Sequence, residues 1–103
     1  MKYYLHIYTN YDKTDIKIKY KTLKEADAAL HENKKNIITH YRNMGLETDY
    51  HQEYDNEFTI NVSAWTDTEN GKKLNHVCWI LRVHANKSEL SQEEIEEFDY
   101  YSL

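Results

Sequence analysis

The chain has no proline, two glycines (Gly45 and Gly71), two arginines (Arg42 and Arg82) and one cysteine, Cys78. A single cysteine excludes an intrachain disulfide and fits a reducing compartment. Two glycines leave few positions where the backbone can approach a cofactor closely. No glycine-rich phosphate loop, nucleophile elbow, paired-histidine metal motif or calcium loop occurs. The longest apolar run, Val77-Cys78-Trp79-Ile80-Leu81, is far too short to span a bilayer. The segment from Met1 to Ile7 lacks the apolar core of a signal peptide. The expectation is a cytoplasmic protein without membrane association, cofactor, metal or catalytic residues, and so not an enzyme.

What is present is tyrosine and charge. Ten tyrosines stand in for part of a hydrophobic share of only 40%, and 103 residues suit a single domain, 1–103. Lys, Asn, Ile and Tyr make up 38 residues, the signature of AT-rich coding. Residues 1–45 hold nine basic and five acidic side chains, a net of +4. Residues 46–103 hold four basic and thirteen acidic, a net of −9. Such asymmetry points to charged partners or to self-complementarity.

Hydrophobic periodicity defines the elements. Tyr3, Leu5 and Ile7 alternate with Tyr4, His6 and Tyr8, and Ile16, Ile18 and Tyr20 alternate with Lys17, Lys19 and Lys21. Period two predicts two half-buried strands. A four-residue loop at 10–13 pairs Ile7 with Ile16, Leu5 with Ile18 and Tyr3 with Tyr20, and a one-residue slip would bury the lysines. Thr22-x-x-Glu25 is a capping box opening a helix whose apolar stripe is Ala26, Leu30, Ile37, Tyr41 and Met44. Gly45 closes it as a left-handed cap. About 22 residues give a rod of roughly 33 Å.

A weak strand is predicted from Thr48 to Tyr54, followed by strands marked by Phe58, Ile60, Val62 and Ala64 and by Val77, Trp79, Leu81 and Val83. Asn70-Gly71 favours a type I′ turn, which sets Ala64 opposite Val77, Val62 opposite Trp79, Ile60 opposite Leu81 and Phe58 opposite Val83. The same register sets Trp65 opposite His76. A loop at 55–57 sets Tyr54 opposite Phe58 and Tyr50 opposite Val62. Ser91-x-x-Glu94 opens a second, short helix with Leu90 and Ile95 as a staple. The fold class is therefore α+β, in the order β-β-α-β-β-β-α: an antiparallel sheet of about five strands with the long helix across one face.

Four constellations are candidates for function. The outer face of the first hairpin interleaves Tyr4, His6 and Tyr8 with Lys17, Lys19 and Lys21. Rings for stacking beside charges for phosphates are what a single-stranded nucleic-acid platform uses, and they are also what a solvated sheet face with lysine stems over tyrosine rings displays. The last helix carries Glu93, Glu94, Glu96, Glu97 and Asp99, with Tyr100 and Tyr101 beyond. Carboxylates in a rigid array can imitate a phosphate backbone, although acids also favour a helix N-terminus. Trp65, Arg82, Ile80 and His84, beside Asn61 and Ser63, make an outer strand face of the composition found at interface cores, to be covered either by the short helix or by a second subunit. His76-x-Cys78 offers two ligand types about 7 Å apart on a strand, short of the three or four that a metal needs.

The last five elements follow the αβββα order of double-stranded-RNA-binding domains, but those need lysines at the start of the last helix, where this chain has Glu93, Glu94, Glu96 and Glu97. In size, acidity, tyrosine richness and AT-rich coding the whole chain resembles the small anti-defence inhibitors of phages and mobile elements, including anti-CRISPR proteins. That resemblance rests on no shared motif. It implies a protein partner, such as a host nuclease blocked at its nucleic-acid groove, but it carries over no functional residue. The chain's own acidic charge and aromatic anchors give Glu93, Glu94, Glu96, Glu97, Asp99, Tyr100, Tyr101, Trp65 and Arg82 as the expected contact set. The alternatives are direct nucleic-acid binding on the Tyr/Lys face and a structural homodimer through the sheet face.

Overall fold

The computed structural model describes residues 2–10, 13–52, 58–67 and 73–102. Its elements are β1 (Tyr3–Thr9), β2 (Asp15–Tyr20), α1 (Leu23–Asn43), β3 (Glu47–Gln52), β4 (Thr59–Asp67), β5 (Lys73–Ala85), a 3-10 turn (Lys87–Glu89) and α2 (Gln92–Ser102). The strands form one antiparallel sheet in the order β2-β1-β5-β4-β3. The sheet class, element order and long helix are those the periodicity predicts.

The first hairpin keeps its predicted register throughout, and the second keeps it up to Ala64. Tyr3, Leu5 and Ile7 face Tyr20, Ile18 and Ile16, and Ile60, Val62 and Ala64 face Leu81, Trp79 and Val77. Tyr50 stands opposite Val62, as expected. Toward the hairpin tip the register changes. Between Ala64↔Val77 and Thr66↔Leu74 one residue of β4, Trp65, faces two of β5, Asn75 and His76. This β-bulge breaks the predicted Trp65–His76 pairing, because the extra residue shifts every later pair by one. Asp67 consequently meets Lys73 rather than Leu74, the partner that a two-residue Asn70-Gly71 turn requires. Asn70, Gly71 and Tyr54 themselves lie outside the described residues.

The α1 termini follow the chemistry of their residues. Thr22 Oγ1 accepts the Glu25 amide at 3.1 Å. At the other end Gly45 has φ +83°; its amide donates to the Arg42 carbonyl and the Leu46 amide to the Tyr41 carbonyl, both at 3.0 Å. These are the two bonds of a Schellman cap. α1 touches all five strands and buries Ala26 and Leu30 completely. Leu5, Leu30, Ile60, Val62, Leu81 and Val83 are the largest side chains wholly removed from water, each worth about 1.5–3 kcal/mol.

The predicted apolar faces are not uniformly buried. Met44, at the end of the helical stripe, is 60% exposed, and on β2 Ile16 and Ile18 are 46% and 37% exposed. One helix about 10 Å wide cannot roof five strands spaced about 4.8 Å apart, so the outermost strand stays partly bare. α2 closes the other end of the core. Phe98 stacks on Phe58 at 5.2 Å and lies 6.3 Å from Tyr3. The thirteen-residue β5 stretches the molecule to 55 × 23 × 20 Å, with a radius of gyration of 15.6 Å, above the roughly 13 Å of a compact chain this long.

Candidate binding surface

Strand alternation assigns the two sheet faces. Tyr3, Leu5, Ile7, Phe58, Ile60, Val62, Leu81 and Val83 point to the helices. The opposite residues, Tyr4, His6 and Tyr8, Lys17 and Lys19, Ile80, Arg82 and His84, and Asn61, Ser63 and Trp65, point away from them. α2 packs through Phe98 onto Phe58 and Tyr3, on the side of α1. The short helix therefore does not cover the outer face, and no other described element does. Its rings are half-buried against one another, while Lys17, Lys19 and Arg82 are exposed.

The decisive feature is the place of β1 between β2 and β5. It merges the Tyr/Lys face of the first hairpin with the Arg82/His84 face of β5. One row across the strands reads Lys19–Tyr4–His84 and the next Lys17–His6–Arg82. Tyr4 and His84 stack at 4.9 Å with 14° between planes. His6 lies 4.6 Å from Tyr8 and 6.0 Å from His84. His6 Nε2–H donates to Asp15 Oδ1 at 2.6 Å, which anchors the ring at the lip of the patch. Burial holds His84 below the ordinary histidine range, and Arg82, His6 and Lys17 push the same way. The patch therefore carries three permanent cations, Lys17, Lys19 and Arg82, around two ring pairs. Lys21 lies just past the end of β2, exposed, and is not part of these rows.

The other half of the face is different in kind. Asn61, Ser63 and Trp65 lie beside His51, Asp49 and Glu47 of β3, so the basic patch ends where β4 begins. Cys78 is tied into the backbone at this boundary. Its amide donates to Asn10 Oδ1 at 3.0 Å, its carbonyl accepts from Thr9 Oγ1 at 2.9 Å, and its sulfur lies 3.9 Å from Ser63 Oγ. Among the described residues no group of three His, Cys, Asp or Glu comes together to hold a metal.

The acidic residues of α2 are partly engaged within the chain. Glu94 completes the capping box by accepting the Ser91 amide at 3.0 Å, while its own amide donates to Ser91 Oγ at 3.2 Å. It also accepts the Lys2 ammonium at 3.1 Å. The Ser91 amide first, and then Lys2, hold its carboxyl below the usual carboxylate range. Asp99 accepts Lys87 at 2.6 Å and Glu96 accepts Gln92 at 3.3 Å. Glu93, Glu96 and Glu97 are exposed, as are Tyr100 at 75% and Tyr101 at 40%. Trp65 and Arg82, grouped with this helix on composition, belong to the outer sheet face instead. The nine residues of that set are therefore divided between two surfaces.

Sequence reasoning identified the members of the outer face but not the Tyr4–His84 stack, which depends on β1 pairing with β5 across more than 70 residues. A pocket lies between α1, the end of β3 and α2. It has about 240 Å³ and includes Asp27, His31, Glu97 and Tyr101. No protein-family model matches this chain, and no curated protein or solved structure matches it either. No described helix is long and apolar enough to cross a membrane.

Proposed function

We propose that the chain is a binding module that takes single-stranded nucleic acid on the outer sheet face. The observation that carries this reading is the merged row pattern. Two ring pairs, Tyr4–His84 and His6–Tyr8, lie on adjacent central strands, flanked by Lys17 and Lys19 on one side and Arg82 on the other. Rings exposed on central strands provide stacking surfaces for unpaired bases, and cations at the rim meet phosphates. Base–aromatic stacking contributes about 1–3 kcal/mol per base, so two ring pairs with three cations suit micromolar binding of a short strand. The overall charge of −5 does not oppose this, because the acids of α2 lie on the other side of the sheet and exposed charges are screened over about 10 Å.

The test is fluorescence anisotropy with a labelled ten-nucleotide single strand at low salt. Saturable binding that weakens about tenfold in Tyr4→Ala supports the reading. A strand that stays free at the highest protein concentration overturns it, and so does equal preference for the duplex, which offers no bases to stack.

A second reading is favoured by the exposure of Tyr100 and Tyr101 beside Glu93, Glu96 and Glu97. In it, α2 docks on a basic protein surface and blocks a host nucleic-acid enzyme. Reversing Glu93, Glu96 and Glu97 to lysine leaves the Ser91–Glu94 cap intact. Unchanged capture of the partner by this variant would remove the reading.

A further inference from the structure

The two free edges of the sheet are closed to different degrees. Antiparallel ladders alternate between residues that bond inward and residues that bond outward. The Thr9 amide donates to the Thr14 carbonyl at 3.2 Å. In the same alternation Ile16, Ile18 and Tyr20 bond to β1, and the backbones of Asp15, Lys17 and Lys19 face outward. At the opposite edge, the Val83 amide donates to the Phe58 carbonyl, which leaves Thr48, Tyr50 and Gln52 of β3 facing outward. The β3 edge is capped by its own chain. Asp49 Oδ1 accepts the Tyr50 amide at 2.8 Å, the Lys34 ammonium sits 4.4 Å above the Tyr50 ring, and Arg42 Nε donates to Thr48 Oγ1 at 2.9 Å. No described side chain caps the outward amides of Lys17 and Lys19. The same strand leaves Ile16 and Ile18 partly in water on the helix side.

We infer that β2 pairs with β2 of a second copy of this chain, antiparallel, across a two-fold axis at Lys17. The strand is self-complementary in that register. Asp15 meets the partner's Lys19 twice, Ile16 meets the partner's Ile18 twice, and the outward amides and carbonyls form about six ladder bonds. The half-exposed isoleucines become an apolar row between the two cores. One unfavourable contact, Lys17 against the partner's Lys17, sits on the axis. The interface is isologous and closes as a dimer, joining two five-stranded sheets edge to edge. The competing role for Lys17 and Lys19 is protection of a bare edge against pairing, and the two roles make opposite predictions.

Sedimentation equilibrium from about 10 µM to about 1 mM distinguishes them. A reversible monomer–dimer equilibrium is expected. Ile18→Glu should weaken it by at least about tenfold; Ile18 is 37% exposed, so some loss of monomer stability is expected too, and the Asp15/Lys19 swap separates the two effects. Asp15→Lys should weaken it, and Asp15→Lys combined with Lys19→Asp should restore it, since the swap re-forms both cross-strand pairs. Lys17→Ala should strengthen it about two- to fivefold by removing the contact on the axis. A monomer throughout the range, or a dimer indifferent to the Asp15/Lys19 swap, overturns the inference. Lys17→Ala is expected to weaken oligonucleotide binding while strengthening self-association, so failure of one reading leaves the other legible.

Discussion

Replacing Lys17 and Lys19 together with alanine removes two of the three permanent cations from the outer face and leaves Arg82. Both lysines are exposed on β2, so the core of Leu5, Ile60 and Leu81 is untouched. Each cation that neutralises a phosphate of a single strand contributes a slope of about −0.7 to the dependence of log affinity on log salt. Three contacts give about −2, and Arg82 alone gives about −0.7. Between about 20 mM and 200 mM salt the intact chain should lose about a hundredfold in affinity, and the double variant only about fivefold. Fluorescence anisotropy titrations at four salt concentrations measure both slopes. A slope that is the same in the two proteins refutes the assignment of these lysines to phosphate contacts. A steep slope with no loss in Tyr4→Ala would mean that charge alone drives binding and the rings are bystanders.

The remaining predictions concern stability and pH. Gly45→Ala should lower stability by about 1 kcal/mol. The added Cβ meets nothing within 4 Å, so the cost is that of φ +83° for a side chain and not a clash; chemical denaturation reads it. Thr59 is buried and its hydroxyl has no hydrogen-bond partner among the described residues, so Thr59→Val should be neutral or stabilising by up to about 1 kcal/mol, and a loss of stability would show that the hydroxyl is satisfied in solution. His84 is held below its unfolded value by burial first and then by Arg82, His6 and Lys17. The unfolded chain therefore binds more protons than the folded one just below the ordinary histidine range, and stability should fall as pH drops through that window; His84→Gln should flatten this slope in thermal melts. Tyr3 is raised by burial and by Glu94 and Glu97. The unfolded phenol then ionises first, and stability should fall as pH rises past the ordinary tyrosine value, a loss that Tyr3→Phe abolishes.

Much of this architecture is decided within a few residues of itself. The capping boxes at Thr22 and Ser91, the Schellman cap at Gly45 and the alternation that pairs Ile16 with Ile7 all rest on local backbone chemistry or on the period of neighbouring side chains. They can be read along the chain for that reason. The split between a helix-facing and an outward-facing row on each strand is equally legible, since alternate side chains have no choice but to oppose one another.

Adjacency of distant strands was not legible. Nothing in the pattern of β1 or β5 states that they pair, because that contact is decided by how one helix and one hairpin fill the same core. That pairing brought Tyr4 onto His84, set Arg82 beside His6, and separated Trp65 and Arg82 from the acidic helix with which composition had grouped them. The bulge opposite Trp65 and the bare isoleucines of β2 also belong to the tertiary structure. Periodicity says which face a side chain takes, and only the width of the sheet against the width of its helix decides whether that face is covered.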